Sequence, residues 1–207
     1  MSSSNPTTIL AAETELVPPN CFAPLDFEEI YRRRAPVEVD LGCGDGSFLV
    51  AIAAENPGKD FLGIERLLGR VRATCRRIER GRLTNARVLR FEISYAVEWL
   101  LPMNSVTTFH LMFPDPWPKR RHAPRRLVNE NFLASLHRAL VPNGTVRIAT
   151  DQTEYFHQIT RLVSQSPLFA IISDAGPTAA MSKFEKQFTQ EGVKIQRLVL
   201  RKVSPVT

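Results

Sequence analysis

From Val37 onward, strand-like and helix-like stretches alternate almost without interruption, and that alternation decides the fold class. Short runs rich in β-branched and apolar residues predict strands at 37–41, 61–65, 87–91, 106–113 and 146–149. Between them the pattern predicts helices over 47–55, 67–80, 96–101, 128–140 and about 154–164, with breakers at Asn56-Pro57-Gly58, Gly81 and Pro142-Asn143-Gly144. Strands separated by helices must cross over to pair in parallel, so the chain is expected to be α/β. The expected form is a doubly wound, mostly parallel sheet with helices on both faces. The last third changes texture: residues 169–173 and 193–203 read as two β segments, an antiparallel pair at the sheet edge. Residues 1–34, with four prolines and weak periodicity, are expected to form a partly ordered arm, and residues 35–207 a single domain.

Composition excludes several alternatives. The 207 residues are 43% hydrophobic and 23% charged, ordinary for a packed domain and unlike a disordered or collagenous chain. No apolar run approaches the length needed to cross a bilayer, and the first residues, MSSSNPTTILAAETEL, lack the basic and apolar regions of a signal peptide. Cys21, Cys43 and Cys75 are odd in number and widely spaced, which predicts reduced thiols in a cytoplasmic protein and no metal site. Charge is more informative. Lys and Arg total 27 against 21 acids, and 21 of the 27 are Arg. Glu13, Glu15, Asp26, Glu28 and Glu29 fall in the first 31 residues with no base among them, so the positive charge concentrates beyond. Such an Arg-rich domain fits either a nucleic-acid partner or a merely basic surface.

Two segments carry chemistry. The first strand runs into Asp40-Leu41-Gly42-Cys43-Gly44-Asp45-Gly46 directly before a helix. Glycines there permit a tight turn and close backbone approach to a ligand. Their even spacing departs from the dinucleotide fingerprint, and an acid two residues before the first suits a ligand bearing positive charge. Glu65 ends the second strand nineteen residues after Gly46, where doubly wound folds place the carboxylate that takes ribose hydroxyls. Together Asp40, Gly42, Gly44, Gly46 and Glu65 point to S-adenosylmethionine, whose amino group and sulfonium are cationic. The second segment, Phe113-Pro114-Asp115-Pro116-Trp117-Pro118-Lys119-Arg120-Arg121-His122, leaves the C-terminal end of the fourth strand. Its alternating prolines stiffen the loop and hold Asp115 beside the same crevice. The basic run continues to Arg125-Arg126 and offers a phosphate grip. Trp117 reads as either a stacking platform for a base or a wedge between loop and sheet.

The stretch FPDPWPKRRHAPRRL, taken with the glycine loop and Gly63-Ile64-Glu65, closely resembles the bacterial tRNA (guanine-N7-)-methyltransferases of the TrmB type. Thr150-Asp151 followed by Tyr155, and Ser182-Lys183-Phe184-Glu185, resemble two further elements of that family, and the likeness runs from about residue 37 to the C-terminus. The resemblance implies a Rossmann-like class I methyltransferase fold over 35–207 and methylation of N7 of a guanine in tRNA, at variable-loop position 46. S-adenosyl-L-methionine is the implied donor and tRNA the implied partner, with no metal, no membrane, and a monomer or homodimer. Carried over by position, Asp40, Glu65 and Asp115 match cofactor contacts, Asp115 also the catalytic position. Lys119, Arg121, His122, Asp151, Ser182, Lys183, Phe184 and Glu185 match substrate-binding positions. Glu92 is the acid assigned to the adenine side. Pro124 stands where a basic residue is usual, and Ser182 replaces Thr while keeping the hydroxyl. A non-catalytic RNA-binding protein that retains the cofactor pocket, or a methyltransferase of a non-RNA substrate, would share parts of this pattern.

Overall fold

The computed structural model describes residues 14–117, 126–172, 192 and 194–203. In chain order the elements are β1 (Glu15–Leu16), α1 (Phe27–Tyr31), β2 (Val37–Leu41), α2 (Ser47–Glu55), β3 (Asp60–Ile64), α3 (Leu68–Arg80) and β4 (Ala86–Leu89). There follow α4 (Ile93–Tyr95), a π-helical turn (Ala96–Leu100), β5 (Val106–Met112), α5 (Glu130–Ala139), β6 (Leu140–Thr150), α6 (Thr153–Ser164), β7 (Phe169–Ile172) and β8 (Gln196–Lys202). The eight strands form one sheet in the order β1-β4-β3-β2-β5-β6-β8-β7. Every pairing is parallel except those of β8, which runs antiparallel between β6 and β7. The chain winds outward from β2 through β3 to β4, then returns to β5 on the other side of β2. That reversal opens a crevice at the C-terminal ends of β2 and β5, where sheets of this kind bind ligands.

Burial explains the pattern. The β2 sequence Val37-Glu38-Val39-Asp40-Leu41 is buried throughout, as a central parallel strand must be. Val37, Val39 and Leu41 join Leu62, Ile64, Phe109 and Leu111 in the core shared with α5 and α6. The other face packs Phe61 and Val88 under Leu49 and Ile52 of α2 and Val71 and Ile78 of α3. Glu38, buried on β2, is matched by Lys59 Nζ at 2.6 Å and His110 Nε2 at 2.7 Å. Burial alone would raise its carboxyl pKa, but these two partners override that and hold it below the ordinary value.

Most predicted elements agree with the structure to within a residue or two. Three features differ in kind. The Pro142-Asn143-Gly144 turn does not separate α5 from its strand but sits inside β6. Pairing jumps from Val106↔Leu140 to Thr108↔Thr145, so the turn is accommodated as a bulge, with Asn143 in the left-handed region at φ 62°. The short helix after β4 starts at Ile93 and continues as the π turn, with the Glu92 side chain accepting from Tyr95 N at 2.8 Å. Finally, Glu15–Leu16 adds a strand beside β4, and Tyr31, buried on α1, donates its hydroxyl to Phe61 O at 2.8 Å.

Candidate active site

Two loops bracket the crevice. In the first, Gly42, Gly44 and Gly46 all take left-handed backbone, with φ of 81°, 59° and 78°. At Gly46 no other residue fits: a Cβ would lie 2.6 Å from Thr74 Cγ2 on α3, and that β-branched side chain cannot swing away. Thr74 Oγ1 lies 3.1 Å from Gly44 O, and Asp45 is bound at 2.9 Å by Arg77. Helix α3 therefore clamps the loop from behind. Gly42 faces the cleft, whereas Gly44 and Gly46 shape the turn and do not line it.

Asp40 lies beneath this loop, 3% exposed. Its Oδ2 has no hydrogen-bond partner among the described residues, an expensive condition for a buried carboxyl. Burial, and after it the nearby Glu65 carboxylate, push its pKa up to about 7. Glu65 at the end of β3 is buried and lines the cleft. Its Oε1 accepts from Leu67 N at 2.8 Å and its Oε2 lies 3.7 Å from Arg70. Glu92 lines the same cleft while capping α4.

The second loop brings Asp115 into the lining of that cleft, which measures about 370 Å³ and is lined also by Ile93 and Leu111. Asp115 is exposed, between Phe113 at φ 54° and Trp117 at φ 41°. Aromatic residues rarely adopt left-handed backbone, and each such position costs of order 1–3 kcal/mol, which its surroundings must offset. Trp117 also lines the cleft. Asp151 stands at the end of β6, the strand next to β5, with Oδ2 accepting from Gln152 Nε2 at 2.7 Å; it is not part of the cleft wall. Lys119, Arg121, His122, Ser182, Lys183, Phe184 and Glu185 lie outside the described residues.

One residue reads differently in three dimensions. The sequence places Arg126 at the end of the phosphate grip, yet it is buried, 7% exposed, and turned inward. Its guanidinium donates to Pro116 O at 2.8 Å and reaches Gln158 and Glu154 of α6. Nothing in a run of arginines marks Arg126 for burial, because its burial is set by α6, some thirty residues downstream. Arg77 on α3 is likewise engaged within the protein, by Asp45. Among the described residues no His, Cys, Asp and Glu cluster could hold a metal ion, and no helix is long and apolar enough to span a membrane.

Fold and crevice together define a class I methyltransferase. Solved structures with this architecture include the antibiotic-resistance methyltransferase Kmr, with a TM-score of 0.58 at 20% identity over 84% of this chain and 89% of that one. A second is the aminoglycoside resistance methyltransferase NpmB1, at 0.57 and 19% over 85% and 91%. The family described as "Putative methyltransferase" matches residues 34–198. The tRNA (guanine-N(7)-)-methyltransferase of Syntrophotalea carbinolica is 35% identical over 180 residues, covering 84% of this chain and 77% of that protein. That of Leifsonia xyli subsp. xyli is 38% identical over 178 residues, covering 83% and 76%. The chain belongs to this family of tRNA (guanine-N(7)-)-methyltransferases.

Proposed function

We propose that the chain transfers a methyl group from S-adenosylmethionine to N7 of a guanine in tRNA, with Asp40, Glu65 and Glu92 holding the donor and Asp115 acting where the methyl moves. The donor supplies an electrophilic methyl group on a sulfonium. The residues present suit it: Asp40 Oδ2 is a buried acceptor in want of a cationic donor, and Glu65 closes β3 at the ribose-binding position. Three carboxylates line the crevice, Glu65, Glu92 and Asp115, and buried Asp40, outside its lining, lies near Glu65; together they would repel a pyrophosphate and attract a cation.

Guanine N7 has an in-plane lone pair and no proton, so no general base is required. The protein's task is to orient the base and to favour the positive charge that develops on it. Asp115 in the cleft, or Asp151 beside it at the end of the adjacent strand, would accept from the guanine N1–H and exocyclic amine. Those contacts strengthen as the purine gains charge, which lowers the barrier and not merely the binding energy. The target base must leave its stack to enter such a crevice. The single observation that carries this reading is that Asp115 lines the same cleft as Gly42, Glu65 and Glu92. Incubation with labelled S-adenosylmethionine and unmodified tRNA, followed by digestion to nucleosides, should yield labelled 7-methylguanosine. A tRNA carrying 7-deazaguanine at the modified position should yield none. RNA binding without product would overturn the reading.

A further inference from the structure

Arg126 occupies an unusual place for an arginine in a basic run. Its side chain is 6% exposed and fills the space between the proline loop and α6. Toward the loop, Nε donates to Pro116 O at 2.8 Å and Nη2 lies 3.4 Å from Trp117 O. Toward α6, Nη1 donates to Gln158 Oε1 and Nη2 reaches Glu154 Oε1 at 3.2 Å. The guanidinium carbon sits 5.3 Å from the centroid of the Tyr155 ring. The hydroxyl of Tyr155 in turn accepts from Val128 N at 3.2 Å. These contacts engage both edges and one face of the planar fork, leaving little of it for a phosphate.

The two carbonyls it holds belong to the residues that directly follow Asp115, one of them in left-handed backbone. A loop in that conformation persists only where its surroundings over-determine it. We propose that Arg126 is a positioning residue for methyl transfer: it locks the Asp115 loop onto α6, the helix that begins beside Asp151, and so fixes the cofactor-side and substrate-side carboxylates relative to each other. Leu127, the next residue, lines the cleft and is held by the same anchor. A lysine cannot replace it, because a single ammonium on a flexible stem cannot bridge two carbonyls on one side and two side chains on the other while stacking on a ring. The proposal rests on the reading of Asp115 given above.

The test uses the full-length chain, with single-turnover methylation measured at saturating donor and tRNA, tRNA affinity measured across a salt series, and thermal melting. Arg126→Lys should lower the single-turnover rate on the order of 100-fold, the effect of misplacing a reacting group by about 1 Å. The tRNA Kd should stay within about twofold and its salt slope should not change. In Arg126→Ala, millimolar guanidinium should restore part of the rate, and methylammonium should not. Should Arg126→Ala fail to fold, Gln158→Leu carries the test: it should slow the reaction several-fold, and its effect should not add to that of Arg126→Lys. An unaltered rate with weakened, less salt-dependent tRNA binding would make Arg126 a phosphate contact and overturn the proposal. Additivity of the Gln158 and Arg126 variants, or absence of guanidinium rescue in a folded Arg126→Ala, would overturn it as well. Asp115→Ala separates the two levels: if it turns over normally the Asp115 reading itself is wrong, whereas a slow Asp115→Ala beside a normal Arg126→Lys removes only Arg126.

Discussion

The glycine loop and the proline loop face each other across one crevice but are held in place by opposite means. Residues 40–46 owe their shape to what is missing: three positions without Cβ let the chain turn tightly, and the adjacent α3 closes on it through Thr74 and Arg77. Residues 113–117 owe theirs to constraint, with two prolines and two aromatic residues in left-handed backbone. The carboxylates differ accordingly. Asp40 is buried with an unmatched oxygen, whereas Asp115 is exposed on its loop. A buried, unmatched carboxyl suits a cation that arrives with its own donors. An exposed carboxyl on a stiff loop suits a large substrate that enters from solvent.

The comparison breaks most readily at Asp115. Asp115→Ala should reduce turnover more than about 100-fold, roughly 3 kcal/mol, with donor affinity changed far less. Single-turnover rates and equilibrium dialysis of the donor measure the two separately. Asp40→Asn should do the reverse, weakening the donor by roughly 10- to 100-fold through loss of a charged hydrogen bond worth about 1.5–3 kcal/mol, as calorimetry would show. Gly46→Ala should cost about 2 kcal/mol of stability by denaturant titration, from left-handed backbone and the clash with Thr74.

Protonation sharpens the same contrast at smaller amplitude. Asp40 carries a pKa of about 7 in the fold against 3.8 as its ordinary value, so between these the folded state binds the extra proton. Stability of the ligand-free protein should therefore fall as pH rises from about 4 to about 7, and Asp40→Asn should flatten that slope in melting curves. Binding a cationic amino group should expel the proton. Donor affinity should rise with pH up to about 7 and decline above about 8, where an α-amino group loses its charge. Calorimetry in buffers of different ionisation enthalpy would count the proton released.

Much of this was legible in the chain. Alternating apolar runs and breakers defined the strands and helices, because parallel strands buried on both faces read as short continuous apolar runs bounded by turn residues. The cleft positions of Gly42 and Glu65 were legible for a related reason: residues that follow the C-terminal end of a strand border the crevice there, a local feature of the chain. The bulge inside β6 was not, since the same Pro142-Asn143-Gly144 text serves equally as a connector and only pairing to β5 distinguishes them. Asp151 reads as a partner of Asp115, yet the structure leaves it beside the cleft and not in its wall.

Sequence alone thus determined the strands, the helices and the mostly parallel form of the sheet, because each follows from spacing within one or two consecutive elements. Only the tertiary structure decided that Arg126 turns inward. Arg126 stands beside a chemically identical neighbour, Arg125, and its direction depends on Glu154, Tyr155 and Gln158, which reach it only once α6 has packed against the sheet.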